Sequence, residues 1–393
     1  MKRSLMVMVL VGLVTSLVIS PAPVQAQDST PNNSGEAYNG EVLCLPGVYL
    51  VDPGNCLPLG PSTYITELAR KGVTYPATPL PIVHPDPSLN AVSLNYAKIN
   101  IADEEAAALY STLEDAMAGT NPTAYIAAGF GLRYVTYIQR SDVNGGHYIQ
   151  LPNGHWLRAS PAAVSSVFQG LLFTSNPRTS FGWIIDPTEP VASPTFAAPV
   201  TGQTLIREQV VEIYDVQEAE GTTWYMVGAN QWVHRQDLRM FQLNPTPPEG
   251  VTNGRWIEVN LYEQTLAVYE EGQLRFATLV ATGAEPYFTR PGLFQIYEKK
   301  ELETMEGAFE ADRSDYYHLA DVPWTMYFDK ARALHGAYWR AYFGLEQSHG
   351  CVNLSIGDSR WIFDWAQVGD WVYVWDPSGR TPTDPSFYGE GGA

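Results

Sequence analysis

The 393-residue sequence predicts a mainly β protein: a strand-rich C-terminal region with one or two short helices, preceded by two small all-β modules and a Pro-rich N-terminal region. Three observations predict it. After residue 254, apolar and polar residues alternate over short runs; upstream, a strand pattern recurs at an offset of 76 residues; and turn residues, rather than helix stops, separate most of the runs.

At the N-terminus, Lys2-Arg3 precedes an uncharged, mostly apolar run from Leu5 to Ser20 and then Val24-Gln25-Ala26, which reads as a signal peptide over 1–26. The expected product is secreted and soluble, extracytoplasmic in the cell wall or envelope; an uncleaved anchor is the alternative. Residues 27–125 form an N-terminal region with a short helix at Thr63 to Arg70 and an extended linker from Pro76 to Pro87, where proline removes donors and fixes φ. Within it, Cys44 and Cys56 flank Pro46-Gly47 and Asp52-Pro53-Gly54. In an oxidising compartment such a pair closes a disulfide, leaving Cys351 as an unpaired thiol. Ala106, Leu109, Leu113 and Met117 share one helical face, so a helix is expected over 103–117 with Gly119 as its stop.

Two modules follow, at 126–195 and 196–244. Tyr134 to Ile138 aligns with Val210 to Tyr214, Tyr148 to Leu151 with Trp224 to Val227, Gly145 with Gly221, and Trp156 with Trp232. This succession of strands, acidic turn and Trp-containing strand resembles the bacterial SH3-like modules of cell-envelope proteins. Pro245 to Gly250 then marks a boundary. In the region 254–376, Ile257, Val259 and Leu261 share a strand face, as do Leu266 and Val268, and Leu274, Phe276, Thr278 and Val280. Tyr262-Glu263-Gln264 and Glu270-Glu271-Gly272 supply turns, and Glu298 to Glu303 reads as a charged turn, hairpin end or flap. Ser355 to Asp358 resembles a capping box before a helix carrying Trp361, Ile362 and Trp365. Trp371 to Trp375 is the last strand, and 377–393 a tail.

One constellation carries chemistry: His335-Gly336, then Ser348-His349-Gly350-Cys351-Val352-Asn353. A free thiol is only slightly ionised at neutral pH, so a nucleophilic cysteine needs an imidazole to take its proton, and His335 and His349 are the candidates. Gly350 has no side chain to obstruct a carbonyl, and the backbone N–H groups of Gly350 and Cys351 can converge on an oxyanion. A structural buried cysteine and a His/Cys zinc site are the bland alternatives.

These residues resemble the active-site signature of the L,D-transpeptidases, the YkuD-type peptidoglycan cross-linkers. The resemblance extends upstream to Arg255 to Leu261, Gln264 to Leu266, Thr282-Gly283, Thr289 to Phe294 and Asp321 to Phe328. Two departures stand out: Asn353 occupies a position where many members carry arginine, and Arg290-Pro291 replaces a Pro-first order. The resemblance implies an L,D-transpeptidase-type β-sandwich and an acyltransferase that needs no cofactor or metal. It makes Cys351 the nucleophile and His335 the base, with its second nitrogen held by the carbonyl of Gly336. His349 is either the thiol's neighbour or the working base. Ser348, Asn353, Tyr338 and Trp324 are the implied substrate contacts, with core packing the alternative for the two aromatics. The implied partners are peptidoglycan stem peptides and glycan strands, and the implied inhibitors carbapenems. Hydrolysis at the same site and a non-catalytic wall-binding role are the rival readings. The balance of 42 acidic against 23 basic residues, a net charge of −19, speaks against nucleic acid and anionic membrane surfaces as partners.

Overall fold

The structure is a computed structural model that describes residues 80–389 apart from 165–169, 178–179, 202–203, 214 and 229–230. The signal peptide, the Thr63 to Arg70 helix and the Cys44–Cys56 pair expected from the sequence lie outside the described residues. Among those described, no helix is long and apolar enough to cross a membrane.

Strands β1 (Arg255–Asn260), β2 (Thr265–Glu270), β3 (Gln273–Leu279), β4 (Gly292–Gln295), β5 (Glu298–Gly307), β6 (Tyr317–Asp329), β7 (Arg332–Gly336), β8 (Val352–Leu354) and β9 (Trp371–Trp375) build the C-terminal unit. One sheet runs β3-β2-β1-β9-β4, and the other runs β8-β7-β6 with β5 paired on β6. The period of two places the core between them. Ile257, Val259, Leu261, Leu266 and Val268 pack with Met326, Phe328, Leu334, Val352 and Leu354 across the sandwich. Phe276 and Val280 join that core, but Leu274 packs on the opposite face with Trp256 and Tyr269. A register shift between Val268 and Tyr269 explains the difference, because one extra residue reverses the alternation. Glu271 (φ 52°) and Gly272 (φ 73°) make the expected hairpin turn between β2 and β3. The charged run Glu298 to Glu303 is not a turn but the start of β5, which forms a long hairpin with β6.

The helix Ile356–Trp365 starts as its sequence suggests, with the Ser355 hydroxyl accepting the amide of Asp358 at 3.1 Å. The buried Asp358 carboxylate accepts from Thr278 Oγ1 at 2.6 Å and from the Gly170 amide at 2.9 Å, tying helix, β3 and upstream chain together. Trp361 stacks on Phe276 with ring centres 4.5 Å apart.

Upstream, the 76-residue repeat is a repeat of connectivity. The hairpins Gln139–Val143/Gly146–Gln150 and Asp215–Ala219/Thr222–Gly228 turn through Asn144-Gly145 and Glu220-Gly221, all four residues at positive φ. In each unit a central strand is flanked by two antiparallel partners. Asn95–Lys98 lies between Arg133–Tyr137 and Ser160–Ala162, and Ser180–Ile184 lies between Val210–Ile213 and Leu238–Phe241. Each central strand therefore precedes the boundary expected from sequence, since its partners are distant in the chain and leave no local signal.

Neither unit stands apart from the sandwich. Arg133–Tyr137 continues the second sheet through a parallel pairing with β6, and Leu171–Phe173 adds to the first sheet beside β3. Ile82–Val83, in the stretch expected as linker, pairs with Leu171–Phe173. Phe173, Phe181, Trp183 and Phe241 cover the outer face of the first sheet against Trp256, Tyr269 and Leu279. The helix expected over 103–117 is instead a strand, Ala107–Leu109, and a short helix, Leu113–Ala118. Thr112 explains the break: its hydroxyl accepts the Asp115 amide at 3.1 Å, the donor that a continuous helix would have used. Gly119, at φ 67°, ends this helix as expected.

Candidate active site

Strands β7 and β8 run parallel, with Leu334 opposite Val352 and His335 opposite Asn353. One step earlier, the Ala333 amide donates to Cys351 Sγ at 3.3 Å. Side chains two apart on a strand share a face, so Ala333, His335, Cys351 and Asn353 all project from one side. Cys351 and His335 are thus diagonal neighbours on adjacent strands, close enough for side chains to meet.

His335 is 1% exposed, and its Nδ1 lies 3.3 Å from the Gly336 carbonyl oxygen. That oxygen can only accept, so Nδ1 carries the proton and Nε2 keeps its lone pair. Nε2 has no hydrogen-bond partner, which is costly for a buried nitrogen and suited to a proton acceptor. Burial pushes the imidazole down from 6.5 to about 4. Burial also pushes the Cys351 thiol up to about 11, against the smaller opposing pull of the Ala333 amide and the Arg332 charge. Sγ lies 3.7 Å from the Ala331 carbonyl, consistent with a thiol that donates. At neutral pH the pair therefore rests as thiol and neutral imidazole, and proton transfer accompanies attack.

The loop before Cys351 is held by its own polar groups. Ser348 Oγ donates to the Cys351 carbonyl at 2.6 Å and accepts the Gly350 amide at 3.2 Å. Ser348, expected to contact substrate, is thereby used within the loop, and the Gly350 amide is not a spare oxyanion donor. Thr289 bridges from the other side: its hydroxyl accepts the Gly283 amide at 2.9 Å and donates to the Gly350 carbonyl at 2.9 Å. Gly350 sits at φ 118°, a conformation that side chains rarely adopt, and a Cβ there would lie 3.2 Å from Arg332 Nε.

Two clefts flank this centre. A larger one, about 420 Å³, is lined by Phe130, Leu132, Trp339, Arg340, His349 and Asn353 among others. A smaller one, about 260 Å³, lies along β5 and includes Met305, Phe309, Tyr327 and Ala331. Tyr317 borders both, and Cys351 packs in the same apolar cluster as Tyr317 and Met305.

His349 stacks on Phe309 with ring centres 4.9 Å apart, and also meets Tyr287 and Tyr317. It forms a wall of the larger cleft, and burial lowers its pKa. Asn353 reaches the cleft with Oδ1 unpartnered although the residue is 2% exposed. Tyr338 and Trp324 line neither cleft. Tyr338 is buried against Tyr96, ring centres 3.7 Å apart, and donates to the Ala320 carbonyl at 2.9 Å. Trp324 packs on Phe363 and under Arg360. The packing alternative holds for both, since aromatic residues serve core and cleft alike. Thr289, Arg340, Phe130 and Leu132 were not legible as site residues. Arg340 carried one weak signal, a lone cation between His335 and Cys351.

Residues 254–374 match the family model of the L,D-transpeptidase catalytic domain, YkuD. No curated protein matches the chain. Among solved structures, an L,D-transpeptidase from Stackebrandtia nassauensis is 27% identical with a TM-score of 0.26, the match covering 35% of this chain and 63% of that one. The catalytic domain of the E. faecium L,D-transpeptidase is 26% identical with a TM-score of 0.29, over 32% of this chain and all of that one. L,D-transpeptidase 3 from Mycobacterium tuberculosis, solved with a faropenem-derived adduct, is 19% identical with a TM-score of 0.29, over 49% of this chain and 92% of that one. The chain thus spans less than two thirds of the length of the first of these. Cys351, His335 and the loop that joins them all fall within the matched segment, and the chain carries an L,D-transpeptidase catalytic domain at residues 254–374.

Proposed function

We propose that this protein is an exported, cysteine-dependent peptidoglycan L,D-transpeptidase. Cys351 Sγ attacks the carbonyl of the third residue of a tetrapeptide stem while His335 Nε2 takes the thiol proton. The C–N bond breaks, the proton passes to the leaving nitrogen, and D-alanine departs. An amine of a second stem then attacks the thioester, loses a proton to Nε2, and releases the thiol. The observation that carries this reading is the orphaned Nε2 of His335, held by Gly336 on the face from which Cys351 projects, inside the matched segment. Clefts on either side of the centre suit a reaction with two peptide substrates.

Export rests on the N-terminal Lys2-Arg3, apolar run and Ala26. The two upstream units are proposed as SH3-like modules that meet the wall. Incubation with defined tetrapeptide muropeptides tests the reaction, read by mass. A cross-linked dimer with release of the terminal residue is expected; a tripeptide alone would make the enzyme a carboxypeptidase, and no release would overturn the reading.

A further inference from the structure

Arg340 is a cation without a counter-charge on the wall of the larger cleft. Its terminal nitrogens donate to the Gln347 side-chain and main-chain oxygens, both neutral, and its Nε is buried without a partner. Four other arginines of this domain are neutralised by carboxylates, whereas Arg239, which packs against it, bonds the carbonyls of Gly344, Arg235 and Leu238. Arg255 holds Glu270 and Asp370, Arg290 and Arg332 hold Asp329, and Arg360 holds Asp364. Among the described residues no carboxylate pairs with Arg340, in a chain where acids outnumber bases 42 to 23. Asp315, the acid that lines the same cleft, spends its oxygens on the amides of Phe309 and Glu310. Burial lowers the Arg340 pKa to about 10, and its charge is felt at both His335 and His349. The rest of the cleft is apolar at Phe130, Leu132 and Trp339, with one unsatisfied acceptor, Asn353 Oδ1. A desolvated guanidinium with an empty donor and an amide oxygen with an empty lone pair fit a ligand that brings a carboxylate and an N–H.

We infer that Arg340 binds the terminal α-carboxylate of the peptide that Cys351 opens, so that the site selects a stem ending one residue beyond the scissile bond. This rests on the proposed reaction. The leaving amino acid receives its proton at nitrogen from His335, and its carboxylate is only one carbon removed from that nitrogen. A cation on this cleft wall, felt at His335, therefore stands where that charge falls. An internal peptide bond or an amidated terminus brings no charge and leaves the guanidinium desolvated and unpaired, which is how a buried polar group rejects an analogue. Phe130 and Leu132, supplied by the first upstream unit, add apolar surface to the wall of this cleft.

The test uses the full chain, its Arg340→Gln and Arg340→Lys variants, and two stem tetrapeptides identical except for a terminal carboxylate or carboxamide. The wild type is expected to favour the acid by about 10- to 100-fold in kcat/KM, the range of a charged hydrogen bond. Arg340→Gln should bring that ratio close to one by losing on the acid alone, and Arg340→Lys should retain part of it. A wild-type ratio near one, or a ratio that survives in Arg340→Gln, overturns the inference. An equal loss on both peptides also overturns it, because Arg340 would then only hold the loop through Gln347. If neither peptide acylates Cys351, the proposed reaction has failed but the anchor is still decided. Calorimetric binding of the same peptides to Cys351→Ala should show the preference, and Cys351→Ala with Arg340→Gln should lose it; equal binding of acid and amide by Cys351→Ala would refute the anchor.

Discussion

Acidification should destabilise the fold through His335, and the size of the effect follows from its burial. In the folded protein the imidazole stays neutral down to about pH 4, against 6.5 for a free one, because the 1% exposed ring cannot hydrate a charge. Between those values the unfolded chain binds a proton that the folded chain refuses, so stability falls as pH drops from 6.5 towards 4. Each unit of difference is worth 1.36 kcal/mol, which gives a loss of about 3 kcal/mol by pH 4. Glu258 works in the opposite sense. Burial pushes its carboxyl up to about 7, so its stabilisation is complete below 4.5 and is lost as pH rises through 7. A wild-type profile alone would mix the two. The assay is therefore urea unfolding of wild type and His335→Gln at pH 7.5 and pH 4, with the pH effect in the variant subtracted from that in the wild type; Glu258 cancels. The expected difference is about 3 kcal/mol, with the wild type losing more on acidification. Identical pH effects in the two proteins would refute the buried neutral imidazole, and with it the resting thiol–imidazole pair.

Gly350→Ala should lose roughly 1–3 kcal/mol of stability, since it forces a side chain into a positive-φ position beside Arg332; an unchanged melting temperature would refute the strain. Thr289→Val removes the hydroxyl that joins the Gly283 amide to the Gly350 carbonyl, and should cost about 1–3 kcal/mol and slow acylation of Cys351. Stability measured by urea and acylation followed by mass would check both effects. Residues 254–376 alone should fold poorly: they would expose the face covered by Phe173, Phe181, Trp183 and Phe241, and leave Glu263 without the Met240 amide and the Tyr225 hydroxyl. A cooperative melt of that fragment equal to that of the full chain would refute this.

Features written in local pattern were legible in the sequence. The alternation of Ile257, Val259 and Leu261, the Glu271-Gly272 turn and the Ser355 cap each depend on residues a few positions apart. The reacting pair was legible because the chemistry of Cys351 and His335 restricts residue type and the loop between them is short. Pairings between distant strands were not legible. Nothing near Arg133 or His318 announces that they meet, yet that contact fuses the first upstream unit to the sandwich and brings Phe130 and Leu132 to the cleft. The reversal at Leu274 depends on a bulge at the adjacent Arg275, and the break at Thr112 on a hydroxyl competing with the backbone. Among adjacent aromatics, Tyr338 points into the core and Trp339 to the cleft, a choice set by the loop path and not by residue type.

The nucleophilic role of Cys351 is tested most directly by trapping it. A carbapenem opened by the thiolate leaves a thioester, so the folded protein under excess drug should gain the mass of one intact molecule, and peptide mapping should place it on the segment holding Cys351. Cys351→Ala should gain nothing. Absence of an adduct on folded wild-type protein, or an adduct that persists in Cys351→Ala, would contradict the account.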